Sequence, residues 1–157
     1  MYAAISVGVI IIALSMFFVY SSDQAKERGK AFGKAIEFLQ EDLRKTYHLF
    51  DSKVSMFKQG DISKDDFLKF AEKHEHEMEK IVLRYDNLQI PQSFVSSVEL
   101  FKLSSETQLE SDKHMMEWIM TGDETARIRS DSLLQQSFEY EMAALSKFKL
   151  AQGQTNP

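Results

Sequence analysis

Residues 31–60 read AFGKAIEFLQEDLRKTYHLFDSKVSMFKQG, and the spacing of their apolar side chains decides the fold. Phe32, Ile36, Leu39, Leu43, Tyr47, Phe50, Val54 and Phe57 follow one another at steps of three and four. That is the period of a helix with one buried face, not the alternation of a strand. Lys, Glu, Asp and Arg fill the positions between, so the opposite face is wet. Gly60 ends the run, since glycine accepts the left-handed conformation that follows a helix, and Asp61 or Ser63 can cap the next one.

Working outward, the same period returns three more times. Phe67, Phe70, His74, Met78, Ile81, Tyr85 and Leu88 form a second stripe, ended by the turn Leu88-Gln89-Ile90-Pro91, because Pro91 can open a helix but cannot continue one. Phe94, Val98, Phe101, Ser105, Leu109, Asp112, Met116 and Ile119 form a third, which stops at Thr121-Gly122-Asp123-Glu124. Ile128, Asp131, Leu134, Phe138, Met142, Leu145 and Phe148 form a fourth. Connections this short make neighbours antiparallel, so residues 23–151 are expected to be one up-down-up-down four-helix bundle, all-α, with residues 152–157 a frayed tail. The Gly60 and Gly122 turns then share one end of the bundle, and the Pro91 turn lies at the other.

Upstream, Met1 to Tyr20 carry no charged side chain. At 1.5 Å per residue a helix of that length spans a hydrocarbon core of roughly 30 Å, so residues 1–22 are expected to form a transmembrane helix that continues into the bundle. Tyr2, Phe17, Phe18 and Tyr20 suit the two interfaces. A cleaved signal peptide is the competing reading, but no basic n-region precedes the span and no small-residue cleavage site follows it. Ala4, Gly8 and Ser15 lie on one face and would let another membrane helix approach closely. Lys26, Arg28, Lys30 and Lys34 follow the span, which by the positive-inside rule puts the bundle in the cytoplasm. After Phe148 only residues 149–157 remain, room for neither a second span nor an output module.

The chain has no cysteine, which excludes a disulfide framework, a zinc finger, a thiol nucleophile and an iron–sulfur cluster. Six Gly and two Pro in 157 residues do not suit a turn-rich sandwich or barrel. The net charge of −5 leaves no basic footprint for nucleic acid. Its distribution is uneven: net +2 over residues 21–60, −3 over 61–90 and −4 over 91–157. The part nearest the proposed span is therefore the one suited to anionic lipid.

A helical bundle raises the question of a di-iron site, which needs inward Glu-x-x-His pairs. Position −3 is Lys45 for His48, Ala71 for His74, Lys73 for His76 and Ser111 for His114, so there is none. No zincin motif, G-x-S-x-G elbow or phosphate-binding glycine loop occurs either. No cofactor is called for, and no residue stands out as catalytic. The softer candidates are Cu(I) ligands: His74 and Met78 four apart on one stripe, with His114, Met115, Met116 and Met120 on the next helix. Met is equally a filler of cores. Asp112 and Asp131 are carboxylates on otherwise apolar stripes, and burial of a carboxylate demands a partner, for which His74 is available.

The run Pro91-Gln92-Ser93-Phe94 through Glu117-Trp118-Ile119, Thr121-Gly122-Asp123-Glu124 and Ser137-Phe138-Glu139-Tyr140-Glu141 resembles small single-pass helical proteins of ammonia-oxidising archaea. Some of these are accessory subunits of the membrane-bound copper ammonia monooxygenase. The resemblance covers residues 91–148 and the amino-terminal span, contains no cofactor motif and transfers no functional residue. It implies a non-catalytic subunit packed against other transmembrane subunits, with its bundle on the outer face, opposite to the side given by the basic residues. Two expectations follow: a membrane-anchored accessory subunit, or a ligand-sensing or copper-binding bundle with a pocket near Ser105, Asp112 and Asp131.

Overall fold

The computed structural model describes residues 23–154, with side-chain surroundings for residues 29–152. The expected span over residues 1–22, with Ala4, Gly8 and Ser15, lies outside the described residues. Among those described, no helix is long and apolar enough to cross a membrane. Among the described residues there are four helices and no strand: α1 (Asp23–Gln59), α2 (Lys64–Tyr85), α3 (Val95–Thr121) and α4 (Glu124–Gln154), with a 3₁₀ turn at Gln92–Phe94 before α3.

Each end is set by local chemistry. Gly60 has φ +80°, and the Gly60 and Asp61 amides donate to the carbonyls of Phe57 and Met56, the paired bonds of a Schellman stop. Ser63 caps α2: its Oγ accepts from the Asp66 amide at 3.1 Å and donates to the Asp66 carboxylate at 2.6 Å. Gly122, at φ +77°, closes α3 with one bond from its amide to the Trp118 carbonyl. The Asp123 carboxylate then accepts from the Thr125 amide and opens α4. Pro91 precedes the 3₁₀ turn and leaves α3 to begin at Val95. The last helix, α4, runs through Gln154.

The helices form a four-helix bundle whose ends are arranged as the turns dictate. At one end Lys64 Nζ donates to the Met120 carbonyl, and the Lys58 ammonium lies 5.4 Å from the centre of the Trp118 ring. At the other, Phe32, Phe94 and Phe148 from three different segments stack at centroid distances of 4.8 to 6.5 Å. Between the ends, Arg84–Asp42, Lys102–Asp86 and Lys113–Glu75 tie neighbouring helices on the surface.

The core falls into two parts. All four helices supply the one near the Phe94 end, including Ile36, Leu39, Met78, Ile81, Val98, Phe101, Leu145 and Phe148. The part near the glycine turns contains Phe50, Val54, Phe67, Ala71, Met116 and Ile119, and no α4 residue.

The first three stripes face inward as the spacing predicts, but the fourth does not. Ile128, Phe138 and Met142 are 61%, 41% and 44% exposed, and Asp131 is exposed beside Arg127; only Leu145 and Phe148 of that stripe are in the core. The buried face of α4 is instead Ala126, Ser130, Ser137, Ala144, Leu145, Phe148 and Ala151. The reason lies on α3, which presents Ser97, Ser104 and Ser111 at seven-residue intervals. Small side chains on both helices let α3 and α4 run closer together than any other pair. Ser104 Oγ donates to the Ser137 carbonyl at 2.9 Å and Ser137 Oγ returns the bond to the Ser104 carbonyl at 3.0 Å. One heptad along, Ser111 Oγ donates to the Ser130 carbonyl at 2.8 Å. Close approach rotates the larger apolar residues of α4 outward.

Candidate functional site

The interior holds two polar assemblies, both built on stripe positions. In the first, His74 of α2 and Asp112 of α3 meet with Nε2 and Oδ2 2.7 Å apart, both side chains almost wholly excluded from water. Gln108, one turn before Asp112, donates its amide to Oδ1 at 2.8 Å. The imidazole is stacked on Phe50 at 4.3 Å and Phe70 at 5.9 Å, which fixes its plane. Burial pushes the Asp112 carboxyl up, opposed by the hydrogen bonds and charge of His74 and the bond from Gln108. Tyr47 of α1, half-buried, has its phenol pushed up to about 12 by burial first and then by the charges of Asp51 and Asp112.

In the second assembly, the Gln40 amide of α1 donates to Tyr85 Oη at 2.8 Å. Ser105 Oγ lies 3.2 Å from Tyr85 Oη and donates its own proton to the Phe101 carbonyl at 3.0 Å. The phenol proton therefore goes to Ser105, and the relay runs from α1 through α2 to the α3 backbone with each donor assigned. Burial raises the Tyr85 phenol well above its ordinary value.

Both assemblies are closed: every buried side-chain nitrogen or oxygen among the described residues has a hydrogen-bond partner. Such closed polar layers fix which helix faces which and at what register. Among the described residues no hydroxyl is hydrogen-bonded to His74.

The sequence offered His74 as a partner for a buried Asp112 or Asp131, and the structure places it against Asp112. It does not gather the other candidates. Ser105 belongs to the Tyr85 relay, and Asp131 sits at the surface, bonded to Arg127 at 3.0 Å. Of the copper candidates, His74 is engaged by Asp112, and Met78 is buried in the four-helix part of the core. His114 Nδ1 lies 3.0 Å from a Glu117 carboxylate oxygen, and Met115 packs against the core near the glycine turns, as do Met116 and the Trp118 side chain. No group of three or more His, Asp or Glu side chains able to hold a metal ion occurs among the described residues.

Gln40, Gln108 and the seam serines Ser97, Ser104, Ser111, Ser130 and Ser137 went unread in the sequence. The glutamines carry no signal, because amides are common on wet faces. The serines do: Ser97, Ser104 and Ser111, then Ser130, Ser137, Ala144 and Ala151, repeat at intervals of seven, the mark of a close helix–helix seam.

Comparison of the chain with family models, with curated proteins and with solved structures finds no match.

Proposed function

We propose that this chain is a non-catalytic, membrane-anchored accessory subunit of a larger membrane protein complex. The observation that carries the reading is the outward apolar face of α4, where Ile128, Phe138 and Met142 are exposed while serines and alanines take the buried side. Scattered exposed apolar residues are ordinary, but three on one helix face, where the stripe pattern had put core, suit a contact with another polypeptide. The uncharged leading segment, residues 1–20, supplies the anchor in this reading. The closed polar core fits a scaffold, since its polar groups are spent on one another. The resemblance of residues 91–148 to archaeal single-pass subunits narrows the complex to a membrane-bound copper monooxygenase of the ammonia monooxygenase kind.

The test is native electrophoresis of membranes solubilised in mild detergent. The chain should migrate with other membrane proteins and stay with the membrane pellet at moderate salt. Migration as a lone monomer would overturn the reading.

A further inference from the structure

Charge is unevenly placed along the bundle. Its Pro91 end is formed by residues 29–36 of α1, residues 87–98 of the turn and the start of α3, and residues 142–154 of α4, joined through the rings of Phe32, Phe94 and Phe148. These stretches hold four lysines, Lys30, Lys34, Lys147 and Lys149, and no Asp or Glu, in a chain whose net charge is −5. Residues 87–98 carry no charged side chain at all. Glu37, Asp86, Glu99 and Glu141 bound this end on the side of the glycine turns, one on or beside each helix. Asp23, Lys26, Glu27 and Arg28, at the start of α1, sum to zero. All four lysines are exposed, and none is ion-paired among the described residues. Lysines further along are matched: Lys102 meets Asp86, Lys113 meets Glu75 and Glu110, and Lys80 meets Glu77. Lys147 and Lys149 point about 200° apart around α4, so the charge encircles the end instead of running up one side. A ring of that kind fits a surface facing the whole end, not a helix laid along one groove.

We infer that the Pro91 end of the bundle lies against anionic lipid headgroups, held by Lys30, Lys34, Lys147 and Lys149. This inference rests on the membrane-anchored reading and names the surface to which the anchor brings the bundle. Only Ser21 and Ser22 separate the uncharged residues 1–20 from the start of α1, so that start lies within roughly 10 Å of the anchor however the two are joined. Lys30 and Lys34 follow at roughly 10 and 17 Å along the helix. The headgroup layer is itself roughly 5–7 Å thick on each side of the hydrocarbon. Lysine carries its charge on a long flexible stem, and the negative surface potential acts over a Debye length of about 8 Å at physiological salt. A compact ammonium suits such a diffuse target, and the absence of Asp and Glu from this end removes the repulsion that would otherwise oppose it.

The experiment uses the full chain, which has no cysteine, with a thiol-reactive fluorophore on Gln89→Cys in the exposed turn or, as control, on Thr125→Cys beside the Gly122 turn. Each is reconstituted into vesicles of phosphatidylcholine, alone or mixed with phosphatidylglycerol, that contain a headgroup-nitroxide lipid as quencher. Quenching at position 89 should be at least twofold stronger in the phosphatidylglycerol mixture, and the difference should vanish as salt rises and the Debye length falls from about 10 Å at 0.1 M to about 3 Å at 1 M. Position 125 should not distinguish the lipids. Lys30→Gln, Lys34→Gln, Lys147→Gln and Lys149→Gln together should bring position 89 down to its phosphatidylcholine level with circular dichroism unchanged, whereas Lys69→Gln with Lys73→Gln on α2 should leave it as it was. Equal quenching in the two lipids, an equal response from the two positions, or indifference to the four substitutions would each overturn the inference. An acidic face of a second polypeptide as occupant predicts the first of these, because the vesicles hold no other protein. If the chain stays with neutral vesicles while position 89 ignores phosphatidylglycerol, the anchor stands and only this surface falls. Loss from neutral vesicles with lysine-dependent quenching in the mixture would keep the surface and refute the anchor.

Discussion

Asp112 shows how one buried residue commits its neighbours. Its carboxyl takes a bond from His74 and another from Gln108, so removing it strands two buried polar groups, whereas removing all three strands none. Asp112→Ala should therefore cost about 3–5 kcal/mol in denaturant unfolding followed by circular dichroism. The triple variant His74→Phe, Gln108→Leu, Asp112→Leu should lie within about 2 kcal/mol of the parent, because similar volumes fill the layer without uncompensated polar atoms. Glu141 is the opposite case, a carboxyl whose burial is not offset. Burial pushes it from 4.5 to about 7 in the folded chain. Below pH 4.5 it is protonated whether folded or not and carries no penalty. Between pH 4.5 and about 7 the unfolded chain ionises this carboxyl while burial makes the folded chain keep its proton, so stability falls across that window and levels off above it. Glu141→Gln should accordingly be neutral at pH 4 and stabilising at pH 8. One pKa unit corresponds to about 1.4 kcal/mol, and screening of a half-exposed group reduces the expected gain to about 1–2 kcal/mol, read as a melting-temperature difference across the pH series.

At the scale of the element, α4 separates two properties that usually coincide, periodic apolarity and burial. Ser137 is buried against Ser104 while Phe138 is 41% exposed. Adjacent substitutions should then behave in reverse of their hydrophobicity. Ser137→Leu should destabilise by about 2–3 kcal/mol, since the added side chain forces α3 and α4 apart and two hydrogen bonds are lost. Phe138→Ser should change stability by less than about 1 kcal/mol in the isolated chain. Thermal unfolding of the two variants side by side checks the register of the whole helix. The first three helices were legible because their inward stripes are made of large apolar residues. The fourth was misread because its inward stripe is made of Ser and Ala, which carry little hydrophobic signal but much steric meaning. The sequence showed that a buried carboxylate would need His74 but not which one, because a carboxylate on a true core stripe, Asp112, must find a partner and one on an outward stripe, Asp131, need not.

At the scale of the molecule, the two core regions differ in how many helices they hold. Near the Phe94 end α4 packs into the common core through Leu145 and Phe148; near the glycine turns it contributes no residue to the core cluster and is held by the serine seam with α3. Local opening is set by such differences in buried contact. Amide hydrogen exchange should therefore show residues 126–136 of α4 exchanging about tenfold or more faster than residues 142–150, a gap of at least 1.4 kcal/mol in opening free energy. Uniform protection along α4 would contradict the two-part core.

The sequence by itself determined that the described chain is helical, where its helices stop and that successive helices are antiparallel, because period, glycine and proline act through neighbouring residues. It also determined the inward faces of α1, α2 and α3. Only the tertiary structure decided which face of α4 turns inward, that Ser104 and Ser137 exchange bonds, and that Gln40 and Gln108 complete the polar layers. Those outcomes depend on how closely two backbones can approach, a distance set by side chains on both helices at once, and no single helix encodes it.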